Sequence, residues 1–259
     1  MLHLLPFLLI ATPASAGPFA EIEADIYVLG EVHDNAAHHM TQAEAVSDIA
    51  PAAVVFEMLT EMQASEVRGG RPTDAETLAE VLQWSKSGWP DFSMYYPIFA
   101  AARGAEIFGA AVPRDVSQAA MQDGLAESFA GDAEIFSLKE PLGDDELEER
   151  LALQHEAHCG ALPEELLPAM VDVQRLRDAT LAQSAIEAHR ATGGPVAIIT
   201  GNGHARNDWG VPFYIARAAP ELSVVTLGQS EDGLEPDGGF DIILDAPAAL
   251  REDPCAAFQ

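Results

Sequence analysis

Basic residues are scarce in this chain: 13 lysines and arginines stand against 42 aspartates and glutamates, which gives a formal net charge of −29 at pH 7. A field of that sign repels nucleic acids and anionic membrane surfaces. We therefore predict neither as a partner, and we interpret the acidic surface as a heavily solvated one.

Several catalytic signatures are also missing. The chain has no Gly-x-Ser-x-Gly elbow, no Gly-Lys-Ser/Thr phosphate loop and no His-Glu-x-x-His pair. Gly201 and Gly203 begin a dinucleotide-like pattern, but Arg206 stands where the third glycine would be. These absences argue against the hydrolases, nucleotide-binding enzymes and metalloproteases that carry those motifs.

Long apolar runs are absent apart from the amino terminus. Residues 4–10 form a short apolar core that is too short to span a bilayer, and Ala14-Ser15-Ala16 is a small-x-small cleavage site. This pattern predicts a signal peptide over residues 1–16 with Gly17 as the mature start. No cysteine lies near the cleavage site, so we expect a periplasmic or secreted protein that is soluble after signal cleavage, without lipid attachment.

The chain contains only two cysteines, Cys159 and Cys255. In an exported protein this number fits a single disulfide, which would pin the carboxyl-terminal tail to the middle of the chain. Two buried thiols are the alternative.

Four short apolar segments each end in a cluster of polar residues. The segments 25–29, 52–56, 105–112 and 195–200 read as buried strands because they are brief, apolar and bounded by turn residues. In a parallel sheet the carboxyl ends of the strands lie at one edge. We therefore expect one crevice lined by the polar residues that follow them, namely His33, Glu57, Arg114 and His204.

The remaining chain indicates an α/β fold with a mostly parallel central sheet flanked by helices. Two further strands are predicted at 222–227 and 240–245, and helical segments separate the strands. Residues 115–192 contain no strand pattern and are interpreted as a helical insertion over the carboxyl edge of the strands. Residues 17–259 are predicted to form a single domain.

His33, Glu57 and His204 suit two kinds of chemistry. Two imidazoles and a carboxylate are a ligand set for a divalent metal such as Zn or Fe. Alternatively, a carboxylate-oriented histidine acts as a general base while Arg114 holds an anion. The sequence leaves both readings open.

Other histidines and polar residues have less specific contexts. His38 and His39 open a helix, where we expect them to face solvent or to make local hydrogen bonds, with His38 a possible addition to the site. Gln174 and Asp178 fall on the apolar stripe of the long helix that ends near residue 190. They either form a satisfied core pair or face the crevice. From spacing alone His155 and His158 share a solvent-exposed helix face, and Tyr95-Tyr96 indicate core packing.

Several motifs together resemble the ChaN family of haem-binding proteins. The resemblance spans about residues 25–215, with the motifs in consistent order. The matching stretches are Gly30 to Asn35 with His38, Val54 to Met58, Tyr96-Pro97, Val112-Pro113-Arg114, His158-Cys159-Gly160, Gln174 with Arg177-Asp178, and Gly201 to Arg206.

The resemblance implies haem binding in iron uptake, with dimers that sandwich haem in some members. The family belongs to a wider group with the Tiki proteases and erythromycin esterases, where the strand-end histidine and glutamate positions serve metal binding or hydrolysis. It therefore implies that His33, Glu57, Arg114 and His204 are the inherited site. The implied partners are haem or another small molecule, a second copy of the chain and haem-transport components.

A porphyrin is large and flat, so a small charged crevice does not bury its apolar faces. We therefore expect haem near the helical insertion, between segment 84–99 and the helices of residues 144–190. Candidate axial ligands are Tyr95, Tyr96, His155 and His158, and candidate partners for the propionates are Arg103, Arg175 and Arg177. Gln174, Arg177 and Asp178 are further candidate cofactor contacts. The alternative function is a metal-dependent hydrolase of the esterase or peptidase type.

Overall fold

The computed structural model describes residues 17, 19, 21–253 and 255–256, so the predicted signal peptide lies outside the described residues. Six strands form one sheet in the order β3-β2-β4-β1-β5-β6, and every neighbouring pair is parallel. The α/β prediction is confirmed. The strands are β1 (Ile26–Leu29), β2 (Ala53–Phe56), β3 (Glu106–Gly109), β4 (Val196–Ile199), β5 (Val224–Glu231) and β6 (Ile242–Ala246).

Ten α-helices surround the sheet within the described residues. They are α1 (Ala36–Ile49), α2 (Glu61–Arg68), α3 (Ala75–Val81), α4 (Phe92–Ala101), α5 (Arg114–Asp123), α6 (Leu125–Ser128), α7 (Asp144–Ala157), α8 (Leu167–Thr192), α9 (Asn202–Ala205) and α10 (Val211–Ala218). None of them is long and apolar enough to cross a membrane.

Two hydrophobic layers cover the two faces of the sheet. Successive residues of a strand point to opposite faces, so Val28 packs with α8 and α10 while Leu29 packs with α1 and α4. Strands β1, β2 and β4 are buried along their whole length, as expected for parallel strands covered on both sides. The side of the sheet that carries α8 is called the α8 face below, and the other the α1 face.

Residues 115–192 form helices without any strand in this described stretch. Helix α8 begins beyond the carboxyl edge of the sheet, where its Asp178 contacts His204. It then runs back along the α8 face and ends at Gly193, whose φ of 84° suits glycine, shortly before β4 begins. The predicted insertion therefore contributes both to the carboxyl edge and to the layer that covers one face.

Strand β4 decides which loops meet at the carboxyl edge. It pairs with β1 on one side and β2 on the other, although those two strands come much earlier in the chain. The loops that follow β1, β2 and β4 are therefore neighbours in space, and Glu57 and His204 follow two of these strands directly.

The predicted disulfide is confirmed. Cys159 and Cys255 are bonded, and no free cysteine occurs among the described residues. The bond joins the turn after α7 to the carboxyl-terminal segment across 96 residues of sequence.

We expect the double variant Cys159→Ser/Cys255→Ser to lose about 4–5 kcal/mol of unfolding free energy, because the chain-entropy model assigns that value to a loop of this length. Urea unfolding of the oxidised protein and the variant measures the difference. Thiol counting on the denatured, unreduced protein should find no free thiol, and two free thiols would contradict the bond.

Candidate functional site

Two histidines of α1, His38 and His39, hydrogen-bond to the backbone of the loop after β1. Asn35 caps α1 by accepting a hydrogen bond from the Ala37 amide at 2.9 Å. His38 accepts from the Val32 amide through Nδ1 at 2.9 Å, and its Nε2 donates to the Ser230 carbonyl at 3.2 Å. The predicted solvent exposure of His38 and His39 is wrong, because both are fully buried, whereas the alternative of local hydrogen bonds is confirmed by their bonds to Val32 and His33. They face the interior because the loop's buried backbone groups need partners there.

Glu31 is the buried acceptor of this loop. Its Oε1 accepts from the Nδ1 of His33 at 2.8 Å and from the hydroxyl of Tyr95 at 3.0 Å. The Nδ1 of His39 lies 3.1 Å from its Oε2. Burial opposes ionisation, but the contacts with His33 and His39 outweigh it and lower the pKa of Glu31.

His39 lies against the buried carboxylate of Glu31. Its Nε2 donates to the carbonyl of His33 at 2.9 Å, and its Nδ1 faces Glu31. Burial disfavours the imidazolium, but the hydrogen bond and charge of Glu31 outweigh it and raise the pKa of His39.

Glu57 lies at the end of β2 with its carboxylate buried. Its Oε2 accepts from the hydroxyl of Thr200 at 2.7 Å and from the amide of Gly201 at 2.9 Å. Its Oε1 is 3.5 Å from the Nε2 of His204. Burial alone would raise the pKa of Glu57, but the charges of His204 and His33 lower it.

His204 stands between two carboxylates. Its Nδ1 donates to Asp178 at 2.6 Å while its Nε2 faces Glu57. Burial disfavours the imidazolium, but the charges of Glu57 and Asp178 outweigh it and raise the pKa of His204 to about 9. Burial also raises the pKa of Asp178 despite this contact. At neutral pH His204 is therefore a buried cation.

His33 is the histidine of this group that reaches the surface, with 37% of its side chain exposed. Because Nδ1 donates to Glu31, its Nε2 is free. A Cβ on Gly201 would lie 2.9 Å from that Nε2, so the missing side chain of Gly201 makes room for the ring. Burial lowers the basicity of His33, but the hydrogen bond to Glu31 and the charge of Glu57 raise its pKa.

The structure thus brings His33, Glu57 and His204 together around Gly201. The arrangement supplies an exposed imidazole nitrogen that accepts or donates a proton, beside a carboxylate and an imidazolium. Within the described residues, no group of three or more His, Cys, Asp or Glu side chains is arranged to hold a metal ion. Both ring nitrogens of His204 face carboxylates. Metal binding by His33, Glu57 and His204 therefore stays a prediction.

The other site candidates on this edge line two cavities beside the histidines. Arg114 begins α5 and lines a crevice with Glu57 and Arg177. Gln174 lies with Asp178 and His204 on a second, mainly apolar cavity of about 240 Å³ between α7, α8 and α9. Of Gln174 and Asp178, the two polar residues on the apolar stripe of α8, Asp178 directly contacts a site histidine, His204.

The tyrosine and histidine candidates for haem ligation are not brought together. Tyr95 is fully buried and donates to Glu31, which removes it from the candidate ligands. Tyr96 donates to the carbonyl of Thr73 and belongs to the α1 face. His155 and His158 lie at the end of α7, which packs on α8 at the opposite face.

The arginine candidates are likewise separated. Arg103 lines a cavity near the start of β3, together with Tyr96 and two more arginines. Arg175 is buried and donates to the carbonyls of Ser137 and Glu140, so it holds a loop instead of an exposed propionate. Arg177 lines the crevice beside Glu57.

Comparison with known proteins identifies the family. The family described as "Haem-binding uptake, Tiki superfamily, ChaN" matches residues 21–215. The chain belongs to this family. A search of curated proteins found no match.

The solved structure of one member of the family agrees with this assignment at the level of the fold. ChaN of Campylobacter jejuni, described as binding haem cofacially, has a TM-score of 0.61 and 20% identity, covering 82% of this chain and 83% of its own. The type III effector HopBA1 has a TM-score of 0.47 and 11% identity, covering 87% and 88%.

Two residues of this site escaped the sequence prediction. Glu31 and His39 lie two residues before and six residues after His33, and both contact it or its backbone. A signal was present, because the acid lies in the loop after β1 and the second imidazole lies in the first turn of α1, on either side of the exposed histidine. Their burial, however, follows from tertiary packing and not from the local pattern.

We expect His204→Gln to lower the unfolding free energy by about 3–5 kcal/mol at pH 6, because it leaves Asp178 and Glu57 buried without a positive partner. The folded pKa of His204 is raised from 6.5 to about 9, so its stabilisation is complete below pH 6.5 and is lost as the pH rises through 9. The difference between variant and wild type should therefore shrink at pH 10. Urea unfolding at both pH values measures it, with the exposed His155→Gln as control. An equal loss at both pH values would show that charge is not the cause.

Proposed function

We propose that this ChaN-family protein binds haem and takes part in haem uptake or trafficking in the periplasm or outside the cell. The observation that carries the proposal is the family match over residues 21–215. The predicted signal peptide supports an exported location. A second copy of the chain and haem-transport components are the proposed partners.

His158 fits an axial ligand better than the other candidates. Its Nδ1 donates to the carbonyl of Gln154 at 2.8 Å, which orients the ring and leaves Nε2 free for iron. The side chain is half-buried at the end of α7, and the Cys159–Cys255 disulfide fixes the next residue. Haem would supply the iron to which this nitrogen binds.

Apolar surface next to His158 favours the same place. The apolar lining of the cavity between α7 and α8 consists of Leu153, Ala157, Val171 and Trp209, and polar residues such as Arg150, Gln174 and Arg206 line the rest. Porphyrin faces need such walls. Tyr96 lies on the other face of the sheet, so we place haem without it.

Haem titration tests this assignment through the Soret band. We expect His158→Ala to weaken or abolish the band shift, because it removes the oriented nitrogen. Tyr96→Phe and His33→Ala should bind haem as the wild type does, since Tyr96 lies on the α1 face and His33 lies beside the crevice, against Trp89.

Two results would contradict the proposal at different levels. The absence of a Soret shift in the wild type removes haem binding. If the Soret shift is lost in His33→Ala and retained in His158→Ala, haem binds at the crevice and not beside His158. Sedimentation with and without haem tests the proposed dimer.

A second candidate function is hydrolysis at His33, Glu57 and His204. The observation that favours it is the pair of carboxylate-bound imidazoles, Glu31 with His33 and Asp178 with His204, that flank Glu57. Such pairing orients a catalytic histidine. In this reading His33 is the general base and the imidazolium of His204 stabilises developing negative charge.

If the site hydrolyses esters, the rate should have a bell-shaped dependence on pH. Activity should rise as His33 loses its proton, above the ordinary histidine value of 6.5, and fall as His204 loses its proton at about 9. Hydrolysis of p-nitrophenyl acetate measures the profile, with His155→Ala as control. Turnover that survives His33→Ala would exclude this mechanism, and turnover lost on chelation and restored by Zn would support its metal-dependent form.

A further inference from the structure

The carboxyl ends of β2 and β3 open into a crevice of about 520 Å³. Its floor is formed by Glu57, Met58 and residues 110–112. One wall comes from the turn that carries Lys86 and Trp89, and the other from α5 and α8. Each covering layer of the sheet therefore contributes one wall.

Three cations line this crevice in a chain that has only 13 basic residues. They are Lys86 from one wall and Arg114 and Arg177 from the other. Among the described residues none of the three forms an ion pair, whereas seven other lysines and arginines pair with carboxylates or donate to backbone carbonyls within the fold. Lys86 donates a hydrogen bond to the side chain of Gln83 at 3.1 Å, which leaves its charge without a carboxylate partner. The three positive charges of the crevice are therefore not neutralised by carboxylates of the described residues.

Acidic groups do not neutralise the mouth of the crevice. Glu57 is the single acidic residue in the described lining, and its carboxylate is already engaged by Thr200, Gly201 and His204. Since His204 is an imidazolium at neutral pH, the charge of Glu57 is offset from inside the protein. The crevice is thus locally positive although the molecule as a whole is strongly negative.

The amino terminus of α5 adds to this positive potential. The ten-residue helix begins at Arg114, and its first turn lines the crevice through Arg114 and Ser117. The same turn carries Asp115, which is outside the crevice lining and offsets part of this charge. The residue before the helix, Pro113, has no side chain that accepts from the free amides. Unpaired amides at a helix start carry partial positive charge and favour anions.

We propose that this crevice binds a small organic anion through a carboxylate or phosphate group held by Arg114, Arg177 and Lys86. The guanidinium fork matches both anions in a bidentate way, which a single surface charge does not. The rest of the ligand would extend towards Glu57 and the free Nε2 of His33. This site is separate from the proposed haem site at His158.

Calorimetric titration with citrate and with inorganic phosphate tests the proposal and distinguishes the two anion types. We expect one of them to bind the wild type with one-to-one stoichiometry. Arg114→Gln and Arg177→Gln should each weaken binding about tenfold or more, because each removes a charge-assisted hydrogen bond. Arg190→Gln, an exposed arginine at the far end of α8, is the matched control and should bind as the wild type does.

Three outcomes overturn the proposal. They are no binding of either anion by the wild type, binding that both crevice variants retain, and equal weakening in Arg190→Gln. A parallel haem titration separates this result from the haem proposal: if Arg114→Gln and Arg177→Gln impair the Soret shift while neither small anion binds, the cations serve haem propionates and the small-anion site is refuted. Circular dichroism of the variants confirms that they are folded.

Discussion

Burying three carboxylates at one edge of a sheet is the constraint on which the rest of this site depends. Glu31, Glu57 and Asp178 are almost fully removed from solvent, and a buried carboxylate without partners is strongly destabilising. His39 faces Glu31, and His204 lies between Asp178 and Glu57 as an imidazolium ion at neutral pH. The hydrogen bond to Glu31 and the charge of Glu57 raise the pKa of His33, the exposed histidine of the group.

The strand order is what makes this charge balance possible. Glu31 follows β1, Glu57 follows β2 and His204 follows β4, and β4 lies between the other two strands. Gly201 is the point of contact, since its amide binds Glu57 and its lack of a side chain admits the ring of His33. Asp178 arrives from a different layer, because α8 starts beyond the carboxyl edge before it covers the sheet. Each partner therefore comes from a different element.

Strand ends were predictable from sequence because each buried strand is a short apolar run that stops at polar residues. Four of the six strands and the convergence of His33, Glu57 and His204 follow from that pattern with the parallel-sheet rule. The fifth strand, predicted at 222–227, instead runs from Val224 to Glu231, because its polar second half pairs with β6. Local pattern did not separate Tyr95 from Tyr96, which are adjacent in α4 but differ in partner: one hydroxyl reaches Glu31 and the other a backbone carbonyl. The burial of His38 and Arg175 likewise depends on backbone carbonyls from distant segments, which no local periodicity encodes.

His33 and His158 share one property, an Nδ1 that donates within the protein and an Nε2 that is left free, yet their surroundings suit them to different ligands. His33 donates to a carboxylate, which increases the basicity of its ring, and a crevice with three cations lies beside it. His158 donates to a neutral carbonyl at the end of α7, close to a mainly apolar cavity. The environment of His33 favours proton transfer or anion binding, and the environment of His158 favours burial of a porphyrin face. Because α8 contributes Arg177 to the crevice and Val171 to the apolar cavity, a single helix divides the two environments.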